Sequence, residues 1–480
     1  MTEWIVITLL ALLAALAAVL VVRALLFTPP KKPEAEELPV TVNREKIVSD
    51  LAEMIRCKTV SYRDASLINE EEFERFRNLL VQRFPLVHQA CALEHIGKNG
   101  LLYCLKGQSS ACPSVLMAHY DVVPAVEEDW DKPAFAGIVE DDCIWGRGTL
   151  DTKGTLCGIF EALEQALSQG YRPQNDLYLS FSGEEEIDGG SCEAIVTYLE
   201  QKGVTPALVL DEGGAVVEKV FPGVSGQCAL IGIGEKGGVN LRFTLESNGG
   251  HASTPPVHTV MGRLSRAVTR IEGHPFRRRL TTPVRAMFNT LGRHSTFVYR
   301  LIFANLWCFA PILDWICKRS GGELNAMMRT TVAVTRMQGS DAYNVLPPKG
   351  SFGVNMRLME GDTIASATDY LKRVIKDDGI QVEWISGMQA SPCSVTDCEG
   401  YEKLSAAIGA TWPQAVISPY LMMACSDSRH YCRISDKVYR FSAMRLSKEE
   451  RGMIHGNNER VPIETLMETV AFYSRLLQLL

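Results

Sequence analysis

From residue 43 the apolar positions Ile47, Leu51 and Ile55 recur every four residues, the spacing of one face of an α-helix. The same spacing predicts helices over 70–84, 154–169 and 192–202. Between them, short apolar runs predict strands over 101–105, 115–118, 176–182 and 207–210. Strands that alternate with helices imply a largely parallel sheet. The pattern then changes. Residues 239–246 alternate strictly between apolar and polar, and a helix over 260–273, strands over 330–337 and 350–358, a helix over 364–377 and a strand over 382–386 follow. This is a smaller α+β unit of antiparallel character, set into the first. Alternating strands and helices return from Tyr401 and close in a helix over 463–479. The predicted fold is α/β. A mixed, mostly parallel sheet flanked by helices is formed by 43–236 and 391–480, with an α+β domain inserted at 237–390.

Two stretches are too apolar for this scheme. Residues 4–27 are apolar apart from Arg23, and about 20 such residues span a bilayer core. We read 1–27 as a single-pass membrane anchor. A cleaved signal peptide is the rival, but no positive charge precedes the run and no Ala-x-Ala site follows it at once. Residues 28–42, rich in Pro, Lys and Glu, read as a stiff linker. Glu3 precedes the run and Arg23, Lys31 and Lys32 end or follow it, so the positive-inside rule places the bulk of the chain in the cytoplasm. Residues 297–317 are also apolar but contain Arg300, Pro311 and Asp314. They are expected to form a buried or surface-docking helical pair rather than a second span, one that could touch the bilayer or hold an apolar substrate.

At 480 residues the chain is long enough for two domains. A net charge of -7 argues against a nucleic-acid partner, which needs a basic face. The 14 cysteines form no Cys-x-x-Cys pair and read as reduced structural thiols.

The candidate chemistry lies where strands end. His119 closes an apolar run and Asp121 follows two residues on, placed to hold the second ring nitrogen. Asp151 sits between a strand and a helix, Glu184-Glu185-Glu186 follows the strand over 176–182, and Asp211 follows the strand over 207–210. Each has a bland reading: a satisfied strand-end histidine, a helix N-cap, a solvated acidic loop. Their shared placement at the carboxyl ends of strands argues instead for one site. With His455 they supply two imidazoles and three carboxylates (Asp151, Glu186, Asp211), a set suited to two zinc ions with one carboxylate bridging. Glu185 remains as general acid/base for an attacking water. His251, in a Gly-rich loop of the inserted unit, is the candidate donor to an oxyanion when that unit closes.

These residues stand in motifs that resemble the di-zinc aminoacylase/carboxypeptidase metallopeptidases. They are His119-Tyr-Asp121-Val-Val-Pro, Gly146-Arg-Gly-Thr-Leu-Asp151-Thr-Lys-Gly, Glu184-Glu185-Glu186, Asp211-Glu-Gly-Gly, Gly250-His251-Ala-Ser, Tyr343-Asn344-Val-Leu-Pro and His455-Gly-Asn-Asn-Glu, in the family's order over 42–480. The resemblance implies that His119, Asp151, Glu186, Asp211 and His455 bind two divalent ions, with Asp151 bridging. It implies that Asp121 orients His119, that Glu185 is the general acid/base, and that the peptide after Asp151 is cis. It makes 237–390 a lid and dimerisation domain, whose His251 acts on the oxyanion, in some members across a homodimer. Asn344 and Arg357 match substrate contacts of that lid. Arg429 matches a position that holds the substrate carboxylate.

Two departures stand out. Glu184 replaces an Asp common in the family, which leaves a one-residue slip between base and ligand open, and Glu212 adjoins Asp211 as a competing ligand. The Asp-Glu-Gly-Gly motif and the two apolar stretches look most like the branch of carboxypeptidase S and the N-fatty-acyl-amino-acid hydrolases. The implied reaction is hydrolysis of an amide beside an amino acid with a free carboxylate, in an N-acyl amino acid or a short peptide. A dipeptidase or Gly-X carboxypeptidase is the alternative, and an inactive binding homologue a remote one.

Overall fold

The computed structural model describes residues 2–30 and 38–480. Lys31, Lys32 and part of the expected linker lie outside the described residues. An eight-stranded sheet forms the centre of the molecule. Its middle strands Asn175–Ser182, Ser109–His119, Leu208–Glu218 and Val438–Arg445 run parallel. Gly100–Leu105 flanks them antiparallel on one side, and Gln227–Glu235 on the other. The sheet is thus mixed, with a parallel centre, as the alternation of strands and helices implied.

Both faces of this sheet are covered, which is why its strands read as continuous apolar runs. Leu116, Ala118, Leu179, Phe181 and Leu210 point into the larger core, beneath the helices Arg44–Arg56, Lys153–Ser168 and Ile463–Leu479. Val115, Met117, Tyr178 and Val209, one residue out of phase, point to the opposite face and the helix Ser191–Gln201. Burial of one such side chain contributes about 1.5–3 kcal/mol. The parallel centre brings strand ends level: His119 pairs with Ser182 in register.

A second, four-stranded sheet is antiparallel throughout, in the order Thr331–Gln338, Lys349–Leu358, Gly237–Glu246, Gln381–Met388. Helices Val260–Gly273 and Ile364–Ile375 share a separate core with it. The chain crosses between the sheets at Lys236–Gly237. A Cβ at Gly237 would lie 2.5 Å from the Met388 carbonyl oxygen, so the outgoing and returning strands approach more closely than any other residue allows.

Residues 282–328 form the helices Thr282–His294, Phe297–Phe303, Leu306–Ser320 and Gly322–Met328. Their buried Val284, Met287, Phe288 and Leu291 join the larger core, not that of the second sheet. The N-terminal helix Thr2–Leu26 has a mean hydropathy of 3.2 in its most apolar window, with none of that window buried.

Candidate metal centre

Four of the expected donors converge. Asp151 lies between two imidazoles, Oδ1 3.0 Å from His119 Nε2 and Oδ2 3.0 Å from His455 Nε2. His455 Nε2 is also 3.0 Å from Glu186 Oε2. Donor atoms of His119, Asp151 and Glu186 lie within 4.8 Å of one another, and so do those of His119, Glu185 and Glu212. Asp151 is no N-cap, because Thr152 holds that position at the head of the helix Lys153–Ser168. The Asp151–Thr152 peptide is cis.

The fifth expected donor is turned elsewhere. Asp211 Oδ2 accepts the Ser428 backbone N–H at 2.9 Å, on the face of the sheet that carries Val209. Glu212 instead lies 3.7 Å from His119 Nε2. A bulge is the cause. Asp211 pairs with Arg440 and Gly214 with Phe441, so Glu212 and Gly213 are extra residues, and Gly213 takes φ 142°. Regular alternation along the strand does not foresee this step.

Asp121 organises the acidic turn as well as the histidine. His119 Nδ1 is 3.0 Å from the Asp121 backbone carbonyl and 3.4 Å from its Oδ1. The Asp121 carboxylate accepts the backbone N–H groups of Glu185 and Glu186, each at 3.1 Å, and the Ser61 hydroxyl at 2.7 Å.

The electrostatics are those of anions and imidazoles crowded out of water. Burial pushes Glu185 well above the usual carboxylate range; His119 opposes this, and Asp427, Glu186 and Asp151 add to it. Burial also raises Glu212, reinforced by Asp151. Burial works against charge on Asp151 too, yet the hydrogen bonds of His119 and His455 hold it well below that range. The same bonds to Asp151 and Glu186 push His455 up to about 10. Burial opposes charge on His119, but Glu212, Asp121 and Asp151 hold it well above the usual imidazole range. Cations suit the same oxygen and nitrogen atoms, and the mix of imidazole and carboxylate fits zinc-type divalent ions.

Glu459 is a site residue that motif reading left without a role. It is fully buried, and its Oε1 accepts the backbone N–H groups of Gly148 at 3.1 Å and Leu150 at 2.8 Å. Its Oε2 pairs with Arg147 at 2.7 Å. It thereby joins the loop of Asp151 to the loop of His455. Its place at the end of the His-Gly-Asn-Asn-Glu motif was the available signal.

The remaining candidates lie apart from the donors. Arg429 Nη1 donates to the Ser426 carbonyl at 2.9 Å, and its charge reaches Asp427 and Glu185. Arg357, on the second sheet, has Nη1 3.7 Å from Cys425 Sγ. Asn344 and His251 are exposed; the Asn344 carbonyl accepts from Ala252 N–H at 3.0 Å, and His251 Nδ1 is 2.7 Å from the Ser253 hydroxyl. No hydrogen bond or ion pair joins His251 to the donor cluster among the described residues.

Residues 115–479 match the model of peptidase family M20/M25/M40. The chain belongs to this family. The M20 family binds a dinuclear metal centre, and its members are metallohydrolases of amide bonds, as is this chain. It is 33% identical over 482 residues to the probable carboxypeptidase S-like 2 of Dictyostelium discoideum, covering 97% of this chain and 92% of that protein. It is 36% identical over 441 residues to the N-fatty-acyl-amino acid synthase/hydrolase PM20D1 of Xenopus tropicalis, covering 91% and 86%. Its fold matches the M20 metallo-carboxypeptidase Sso-CP2 of Sulfolobus solfataricus at a TM-score of 0.66 with 16% identity, covering 90% and 98% of the two chains.

Proposed function

We propose that this M20 metallohydrolase cleaves the amide bond of N-acyl amino acids that carry a free carboxylate and an apolar acyl group. Two zinc ions would be held by His119, Asp151, Glu186, Glu212 and His455. Bound there, they would supply Lewis acidity toward an amide carbonyl and a lowered water pKa. Glu185 takes the proton of the attacking water, whose oxygen bonds to the carbonyl carbon. As the C–N bond breaks, Glu185 returns that proton to the departing amine. A carboxyl group with a raised pKa is suited to holding a proton between these two events. Asp121 positions both His119 and the Glu185 turn.

Arg429 receives the substrate carboxylate through paired N–H donors. Its 3.4 Å contact with Asp188 is long enough to yield to a better partner. Residues 237–390 act as a lid whose Asn344 and Arg357 reach the substrate and whose His251 donates to the oxyanion, from the same chain or from a second copy in a homodimer. Helix Thr2–Leu26 anchors the enzyme in a membrane with the catalytic part on the cytoplasmic side. The observation that carries the reading is Asp151 held at 3.0 Å from each of two imidazoles, with Glu185 beside the same cluster. The names of the relatives support the substrate class.

A panel of N-acyl amino acids and dipeptides, assayed with metal-loaded protein, tests it. Long-chain N-acyl amino acids are expected to give the highest kcat/KM; turnover of peptides alone would sink the acylase reading. Glu185→Gln is expected to lower kcat about 10²–10⁴-fold while metal content stays at two equivalents. Full activity in that variant would overturn the mechanism.

A further inference from the structure

None of the clustered metal donors comes from the apolar surface that residues 297–320 present. Helices Phe297–Phe303 and Leu306–Ser320 meet at an elbow of 105°. Phe303 and Cys317 turn inward to the larger core. On the outer side Trp307 is 62% exposed and Trp315 57% exposed, with Ile312 and Ile316 beside them at helical spacing. Exposed tryptophan and isoleucine in one stripe leave a large apolar area in water.

The elbow is clamped to the N-terminal helix. Arg23 donates from Nε to Asn305 Oδ1 at 3.0 Å and from Nη2 to the Ala304 carbonyl at 2.9 Å. Asn305, fully buried, donates in return to the Leu20 carbonyl at 3.0 Å. Arg293 lies over the Phe27 ring at 4.5 Å and donates to the Thr28 carbonyl at 3.0 Å. The apolar face of the elbow is therefore held at the end of the exposed apolar helix Thr2–Leu26.

Charge completes the surface. The chain carries -7 overall, yet residues 263–329 hold twelve Lys and Arg against three Asp and Glu. Arg278 reaches Asp314 of the elbow at 3.8 Å. Next to it lies a cavity lined by Arg270, Arg277, Arg279, Arg373 and Lys376. Its one acidic lining residue among the described residues, Asp362, pairs with Arg279 at 3.0 Å.

We propose that the elbow and this cationic cavity dock the enzyme on an anionic phospholipid leaflet, with Trp307 and Trp315 at the boundary of headgroups and acyl chains. Tryptophan beside arginine is the composition that settles at that depth, and lipid phosphates complement the cavity's excess of cations. The proposal rests on the anchor reading of helix Thr2–Leu26 for its orientation.

The test uses the full chain in liposomes that contain brominated phosphatidylcholine, with and without phosphatidylserine. The Trp4→Phe protein is expected to show at least about twofold more lipid quenching of its fluorescence than the Trp4→Phe/Trp307→Phe/Trp315→Phe protein. Equal quenching would overturn the proposal. The Trp307→Phe/Trp315→Phe protein differs from the triple variant in Trp4 alone, so equal quenching of those two marks failure of the anchor reading separately. Arg277→Gln/Arg373→Gln/Lys376→Gln is expected to abolish the increase in quenching caused by phosphatidylserine and to leave turnover of a water-soluble substrate unchanged. An undiminished increase would overturn the anionic preference. Concentration-dependent dimers without lipid quenching would also overturn the proposal and assign the face to a second copy.

Discussion

Asp211 and Glu212 are neighbours in the chain with opposite surroundings. Asp211 is bonded to Ser428 N–H, whereas the bulge at Gly213 turns Glu212 toward His119. Glu212→Gln is expected to lower bound metal, measured by elemental analysis after dialysis. Asp211→Asn is expected to keep two equivalents and lose thermal stability instead. Loss of a metal from Asp211→Asn alone would restore Asp211 as the ligand. Glu459 makes a second prediction at this scale. Removing its charge leaves Arg147 buried and unpaired, so Glu459→Gln should cost about 3–5 kcal/mol in urea unfolding. Motif reading located the neighbourhood of both residues. It could not place Glu212 or Glu459, since a bulge and a buried hydrogen-bond fan are contacts between segments.

Among the elements, the helix Lys153–Ser168 fixes where Asp151 sits. Its first turn packs so closely on the preceding loop that a Cβ on Gly154 would lie 2.3 Å from the Thr149 carbonyl oxygen. Gly154→Ala should therefore shift the helix start, with a stability loss of about 1–3 kcal/mol by denaturant titration and a fall in kcat. Helices and central strands were legible because their apolar spacing is local: the predicted helix over 154–169 is Lys153–Ser168, and the predicted strand over 176–182 is Asn175–Ser182. The strand Gln227–Glu235 escaped sequence reading. Its run Gln-Cys-Ala-Leu-Ile-Gly-Ile-Gly-Glu is glycine-broken and buried on both faces, so no alternation marks it.

For the whole molecule, the crossing between the two sheets carries an unusual charge. Lys236 is buried where the chain leaves the first sheet, and its Nζ donates to the carbonyls of Ala326 at 2.9 Å and Arg329 at 2.8 Å. Burial lowers its pKa to about 7, and the charge of Arg357 adds to the effect. Below that value Lys236 is charged in both the folded and unfolded states, and the cost of burying the charge is fully present. Above it the folded form is neutral while the unfolded form still binds the proton up to the ordinary lysine pKa. Stability should rise with pH across that window. Between pH 6.5 and 9 the unfolding free energy of the wild type, from urea titration, should gain on that of Lys236→Met by on the order of 2 kcal/mol. A constant difference would show that the lysine is charged throughout.

Periodicity and motif order along the chain were enough for the α/β class, the second antiparallel unit, the apolar N-terminal helix and the neighbourhood of His119, Asp151, Glu185, Glu186 and His455. Each of these depends on residues close in sequence or on a pattern carried over from a family. Folding alone decided that Glu212 displaces Asp211 beside His119, that Glu459 joins the loops of Asp151 and His455, and that residues 282–328 pack on the larger core with Asn305 clamping Arg23. Those outcomes arise where segments far apart in the chain meet, and a buried donor, acceptor or charge takes whichever partner the packing brings within reach.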